Sequence, residues 1–149
     1  MNVITHVLIA GSRDASHEML AFARRAVLRA YQRGFIVVVG DNPKGVDRAV
    51  VRECRCLKAP VIVSGPGNYP RNGGCKHGSY VKVARDIYRA ANGHLLNRYT
   101  ARDRWMVDTA QIGLFIWNGG SPGTKAGFDY MIGRGKEAHL VTFDKRKYP

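Results

Sequence analysis

Five apolar runs punctuate the chain: Val3 to Ala10, Phe35 to Val39, Pro60 to Ser64, Ile112 to Trp117 and His139 to Phe143. They are rich in Val and Ile, and continuous apolar runs of this length predict strands buried on both faces, as in a parallel sheet. Between them, Leu20, Ala23, Val27, Ala30 and Tyr31 recur at helical spacing, as do Val46, Ala49, Val50, Cys54 and Leu57, with arginines on the opposite side. Further helices are expected over 79–91, 100–110 and 124–134, the last stopped by Gly133 and Gly135. Strand–helix–strand alternation with right-handed crossovers makes this an α/β chain: a doubly wound, mostly parallel five-stranded sheet with helices on both faces.

Residues 65–79 break the pattern with clustered Gly, Pro and Asn, so a long Gly/Pro-rich loop is expected there, of the kind that carries function or moves. No internal repeat or low-complexity linker interrupts the chain. With 149 residues and 45% apolar content, one domain over 1–149 is expected.

Charge changes the picture more than length does. Lys and Arg number 24 against 11 Asp and Glu, a formal charge of +13, which implies an anionic partner: phosphate esters, nucleic acid or acidic protein. The excess is spread evenly, and the one basic run is Lys145-Arg146-Lys147. The opening stretch lacks a basic n-region and reads as a first strand, and no segment approaches the roughly eighteen apolar residues of a membrane span. A soluble cytoplasmic protein with no membrane partner is expected. Three cysteines give no disulfide framework, and Cys54 and Cys56 point apart on a helix, so no metal site is expected.

In an open parallel sheet, ligands bind outside the carboxyl ends of the strands, so the residues after each strand carry the chemistry. After the first strand, Gly11-Ser12-Arg13-Asp14 joins a glycine that permits close approach, a hydroxyl donor and an arginine able to clamp a phosphate. The same residues also read as a plain turn with Asp14 or Ser16 as N-cap. After the second, Gly40-Asp41-Asn42-Pro43-Lys44-Gly45-Val46-Asp47 opens a helix whose dipole favours an anion, and Asp47 either accepts from ribose hydroxyls or caps that helix. After the fourth, Trp117-Asn118-Gly119-Gly120-Ser121-Pro122-Gly123-Thr124 sets three glycines and two hydroxyls at a helix start, the strongest anion cradle in the chain. Arg98, Arg102 and Met106 share one helix face, which either aims two guanidinium groups at the cleft or is a solvated basic stripe. Neither a P-loop Gly-Lys-Ser/Thr triplet nor a G-x-G-x-x-G fingerprint is present, which disfavours ATP hydrolysis and hydride transfer, and no cofactor is expected.

The ordered set Ala10-Gly11-Ser12-Arg13, Gly40 with Gly45-Val46-Asp47-Arg48-Ala49, Arg102-Asp103-Arg104-Trp105-Met106 and Trp117 to Thr124 resembles the SLOG superfamily of Rossmann-like domains, over most of the chain. That superfamily includes the LOG phosphoribohydrolases, DNA-processing protein A and sensors of nucleotide signals, so the resemblance implies nucleotide binding more firmly than any reaction. LOG enzymes cleave a nucleoside monophosphate with an arginine of R-K-x-x-M, matched here by Arg102 and Met106, and a glutamate three residues after the Gly-Thr of P-G-G-x-G-T. Gly119-Gly120 and Gly123-Thr124 match the second motif with one extra residue between, but the glutamate position is Gly127 and the nearest carboxylate is Asp129. The resemblance implies Arg102, with Asp47 or Asp103 as substitute carboxylate, as catalytic candidates. Gly11, Ser12, Arg13, Gly40, Lys44, Gly45, Arg98, Asn118, Gly119, Gly120, Ser121, Gly123 and Thr124 are the ligand- and phosphate-binding candidates. Tyr99 is the candidate to stack on a base, Trp105 reads as core, and Tyr69 and Tyr80 border the long loop as candidate lid residues.

The expected function is binding, by sensing or sequestering, of a phosphorylated nucleotide or nucleotide-derived ligand. The alternatives are a glycosidic-bond hydrolase and a single-stranded DNA-binding protein. Relatives associate through helices beside the cleft, which implies a homodimer. Arg102→Ala is expected to abolish binding while sparing the fold.

Overall fold

A computed structural model describes residues 3–84, 88 and 92–143. The elements run β1 (His6–Gly11), α1 (His17–Gln32), β2 (Ile36–Gly40), α2 (Gly45–Leu57), β3 (Val61–Gly65), β4 (Ser79–Lys82), α3 (Arg98–Thr109), β5 (Ile112–Trp117), α4 (Pro122–Gly133) and β6 (Glu137–Thr142). All strands pair in parallel, in the order β4-β3-β2-β1-β5-β6.

Strand alternation divides the core in two. One set of side chains, including Ile9, Val37, Val39 and Val63, packs under α1 and α2 through Met19, Val27, Val50 and Cys54. The other set, including Leu8, Val38 and Phe115, packs under α3 and α4 through Met106, Val107 and Met131, with Trp105 against its edge. A fully wrapped central strand has no polar face, which is why β1 and β2 read as unbroken apolar runs.

Among the described residues the sheet has six strands where five were expected. The helix expected over 79–91 begins as strand: Ser79–Lys82 pairs with Ile62–Gly65 of β3. The short run Tyr80-Val81-Lys82-Val83 is aromatic and β-branched, and pairing with β3 decides its state. Most of the remainder of that expected helix lies outside the described residues, as does Lys145-Arg146-Lys147. The loop 65–79 joins β3 to β4 and is tied down along its length. Arg55 of α2 donates to the carbonyls of Gly74 at 2.7 Å and Asn72 at 3.0 Å, and the Tyr80 hydroxyl donates to Gly67 O at 2.7 Å. Tyr80 therefore anchors the loop, while Tyr69 stands 82% exposed.

Ser16, not Asp14, caps α1, its hydroxyl accepting from Met19 N at 3.2 Å. At the far end of α3 a lysine completes the cap: Lys136 Nζ donates to the carbonyls of Val107, Asp108 and Ala110 at 2.8, 3.0 and 2.8 Å. These carbonyls lack helical partners, and the ammonium also meets the negative end of the helix dipole. Lys136→Met is expected to lower the unfolding free energy by about 2 kcal/mol in urea titrations, and an unchanged midpoint would show the cap to be idle.

Candidate functional site

The strand order sets where a crevice must open. β1 and β5 are neighbours, yet the chain leaves β1 for α1 on one face and β5 for α4 on the other, so the loops part at their carboxyl ends. A cavity of about 380 Å³ lies there. Its floor is apolar, made by Leu8, Ala10, Met106, Val107 and Phe115. One wall is Gly11 and Arg13 after β1 with Ser121, Gly123 and Thr124 at the start of α4; the other is Asn42, Asp47, Arg71, Tyr99, Arg102 and Asp103.

Hydroxyls join the two glycine-rich loops. Ser12, 1% exposed, shares a 2.7 Å hydrogen bond with the Ser121 hydroxyl, and its Oγ accepts from Asn118 N at 3.0 Å. Asn118 in turn accepts from Gly120 N and Ser121 N and donates to Asp14 O, folding the loop on itself. Gly119 turns that loop at φ +85°. The β2 loop closes against the same point: Val46 N donates to Ser12 O at 3.2 Å, and Gly45 at φ +72° packs where a Cβ would strike the carbonyls of Ser12 and Arg13. Ser12, Gly45, Asn118, Gly119 and Gly120 thus shape the walls from behind and do not line the cavity. Lys44 is an exposed N-cap residue outside it.

At the head of α4 no side chain caps the helix. Pro122 has no N–H, and the Ser121 hydroxyl, the natural cap, is turned to Thr124 Oγ1 at 3.1 Å and to Ser12. Gly123 and Thr124 of this first turn line the cavity with no side-chain cap on the helix among the described residues, beside the exposed Arg13. An anion fits such an end by both hydrogen bonding and dipole.

The opposite wall is an ion network that the sequence reading missed. Asp41 is 0% exposed and accepts from three directions. Arg71 grips it with Nη2 at 2.8 Å, Nε at 3.1 Å and its main-chain N at 3.2 Å, and Arg102 Nη1 reaches it at 2.9 Å. Burial pushes the Asp41 carboxyl up, but the Arg71 hydrogen bonds and the charges of Arg102 and Arg71 outweigh it and hold the pKa below the ordinary value. Arg102, 6% exposed, also donates to Ser64 O at 3.1 Å and to Asp103 Oδ1 at 2.8 Å. Gly40 makes room for this packing, because a Cβ there would meet Asp47 Oδ2 at 2.5 Å and Arg102 Nη1 at 3.0 Å.

Arg102 therefore serves the protein first. Its removal would leave Asp41 to Arg71 alone, so Arg102→Ala is expected to cost about 3 kcal/mol of stability, against the expectation that the fold would be spared. Tyr99 is also occupied: the guanidinium carbons of Arg71 and Arg98 lie 4.7 and 5.0 Å from its ring centroid, and that of Arg102 at 5.9 Å. Arg98 sits against this ring outside the cavity, and Tyr99 is a spacer between cations more than a free platform for a base. Asp129 is paired with Lys125 at 2.7 Å on the exposed side of α4, away from the cavity.

Asp47 lines the cavity at 8% exposure, accepting from Asn42 N at 3.3 Å; it neither caps α2 by a short bond nor forms a direct ion pair among the described residues. Burial first, then the neighbouring Asp103 and Asp41, against the pull of Arg102, raises its pKa to about 6. Asp103 is raised too, by burial against the attraction of Arg102, although its side chain keeps 35% exposure.

A raised carboxylate pKa opposes folding once the group must ionise, so the Asp47 contribution falls as pH rises through the interval from 3.8 to about 6. Relative to Asp47→Asn, wild-type stability is expected to drop by up to about 3 kcal/mol between pH 4 and pH 7. Asp41 acts with the opposite sign, its contribution being lost as pH falls. Melting curves of the two proteins across this range that stay parallel would contradict the assignment for Asp47.

No protein-family model matches the chain, and no curated protein is matched either. Solved structures do match. The molybdenum cofactor binding protein from the phototrophic bacterium Rippkaea orientalis superposes with a TM-score of 0.74 at 12% identity, over 95% of this chain and 78% of that one. The Moco carrier protein from Chlamydomonas reinhardtii superposes with a TM-score of 0.71 at 15% identity, over 94% and 78%. DNA processing protein A from Helicobacter pylori, studied for its single-stranded DNA binding mode, gives 0.64 at 16% identity, over 91% of this chain and 64% of that one. Likeness at such identities establishes the fold alone: this chain has the Rossmann-like α/β fold of these structures.

Proposed function

We propose that the protein binds, without cutting, a phosphorylated nucleotide or nucleotide-derived molecule in the crevice between the β1 and β5 loops. The observation that carries this reading is the uncapped first turn of α4, opening beside Arg13 onto an apolar-floored hollow of about 380 Å³. That volume falls within the range of small-molecule sites, and the combination of anion donors with an apolar floor suits a phosphate attached to a flat heterocycle. The fold's relatives that take the molybdenum cofactor make that cofactor a member of the ligand panel beside nucleoside mono-, di- and triphosphates.

Binding without cleavage is favoured by the position three residues after Thr124. Gly127 stands there, its Cα side against the Phe115 ring, and supplies no carboxylate. One observation favours hydrolysis as a second reading: Asp47 lines the cavity with a pKa of about 6, in the range of a general acid or base. Release of free base, followed by chromatography, separates the two readings.

Gly123 gives a clean probe, since a Cβ there would meet nothing within 4 Å. Gly123→Asp places a carboxylate at the helix end without disturbing the apo fold, where it also suits the dipole. At a hundredfold excess over Kd, a ligand is expected to stabilise the wild type by about 2.7 kcal/mol, or roughly 5 to 10 °C in melting temperature, and Gly123→Asp to abolish that shift. An equal shift in the variant, or none in the wild type with any member of the panel, overturns the reading.

A further inference from the structure

A second hollow of about 380 Å³ lies on the α1 face of the sheet, remote from the first. α1 and α2 cover β1 to β3 on this face, while α3 and α4 pack on the other, so among the described residues β5 meets only the edge of α1 here and β6 lies beyond it. Phe115 belongs to the α3 and α4 side, so alternation turns Ile112 and Leu114 to the α1 side. Parallel register places Glu137 and His139 beside them. The result is a trough with an aliphatic floor, walled by one side of α1.

The width of the trough is that of a helix. Strands lie about 4.8 Å apart, so β6 lies about 10 Å from β1, and helices packed side by side sit 8 to 10 Å apart, about the same distance. Along the wall, Arg25, Arg29 and Arg33 line the trough at successive turns, about 6 Å per step. None of the three is in an ion pair among the described residues. The one acidic side chain in the trough, Glu137, faces His139 at 3.7 Å.

Charge and floor chemistry choose the occupant. A second copy would bring another +13 against three arginines. A nucleic-acid strand would find phosphate partners but little ring surface: Phe22 is held edge-on by Phe143 at 5.7 Å and lies under Arg25 at 5.9 Å, Phe35 is half-buried, and Val7, Ile9, Ile112 and Leu114 are aliphatic. We propose that the trough docks an acidic amphipathic helix of a partner protein. Its aliphatic seam lies on Ile112 and Leu114, and its Asp or Glu residues, one per turn, face Arg25, Arg29 and Arg33. This surface is independent of the ligand crevice and stands or falls separately from it.

The test is fluorescence anisotropy with a labelled synthetic helix of about 18 residues, long enough to hold helical structure, with leucines at a and d and glutamates flanking them. A peptide of the same composition with the leucine seam shuffled serves as the control. The patterned peptide is expected to bind the wild type at least about tenfold more tightly than the shuffled one. The pair Arg25→Glu with Arg29→Glu should remove that preference, and so should Leu114→Asp. The pair Arg48→Glu with Arg52→Glu, on the exposed side of α2, should keep it. The arginine pair leaves the floor intact, so the test survives an unstable Leu114 variant. Equal binding of both peptides, or equal loss in the α2 variant, overturns the proposal as general charge attraction. Binding of an oligothymidylate that is lost with Arg25 and Arg29 overturns it in favour of nucleic acid, and a sedimenting dimer abolished by Leu114→Asp overturns it in favour of self-association. The nucleotide-dependent melting shift, measured on the same variants, reports the other site alone.

Discussion

A carboxylate with no exposed surface, Asp41 at the carboxyl end of β2, anchors the wall of the candidate site. A buried ion costs several kcal/mol unless its hydrogen-bonding capacity is met, and here Arg102 from α3 and Arg71 from the 65–79 loop meet it together. Each of those arginines then fixes something else. Arg102 reaches the end of β3 through Ser64 O and orients Asp103, while Arg71 brings the loop to the cavity and packs on Tyr99. α3, the 65–79 loop and the far wall of the crevice thus meet around one desolvated charge.

The near wall follows from connectivity. At the point where the chain departs β1 and β5 toward opposite faces, two loops rich in glycine and hydroxyls approach each other, and Ser12 with Ser121 and Asn118 stitches them. Those hydroxyls are spent on each other, and the first turn of α4, uncapped by Ser121, lines the hollow. Two carboxylates close in sequence behave oppositely for the same reason: Asp41 is clasped by guanidinium groups and ionises readily, whereas Asp47 is as well buried with only a main-chain partner.

Both hollows pair arginines with an apolar floor, yet their chemistry differs. In the crevice Arg71 and Arg102 are committed to carboxylates, so Arg13 and the helix end carry the positive field toward the hollow. In the trough the arginines of α1 and its C-cap line a hollow beside β5 and β6. An overall charge of +13 is therefore not one basic surface, and its parts serve distinct surroundings.

Local pattern determined much of this protein. The apolar runs, the helical spacings and the glycine-hydroxyl loops after β1, β2 and β5 follow from burial and turn chemistry acting over a few residues, which is why the architecture and the position of the crevice were legible in the sequence. What was not legible depends on partners far apart in the chain. Ser79–Lys82 becomes a strand through pairing with β3, and the loop that precedes it has no periodicity to read. Arg102 stood out in the sequence as a candidate, but its engagement with Asp41, 61 positions away, is a matter of packing, and so is the seating of Arg71 and Arg98 on the Tyr99 ring. The raised pKa of Asp47 belongs to the same class. Sequence spacing specifies which residues share a face, whereas desolvation and the directions of hydrogen bonds exist only once distant segments are packed, and the tertiary structure alone decided which charges the protein keeps for itself.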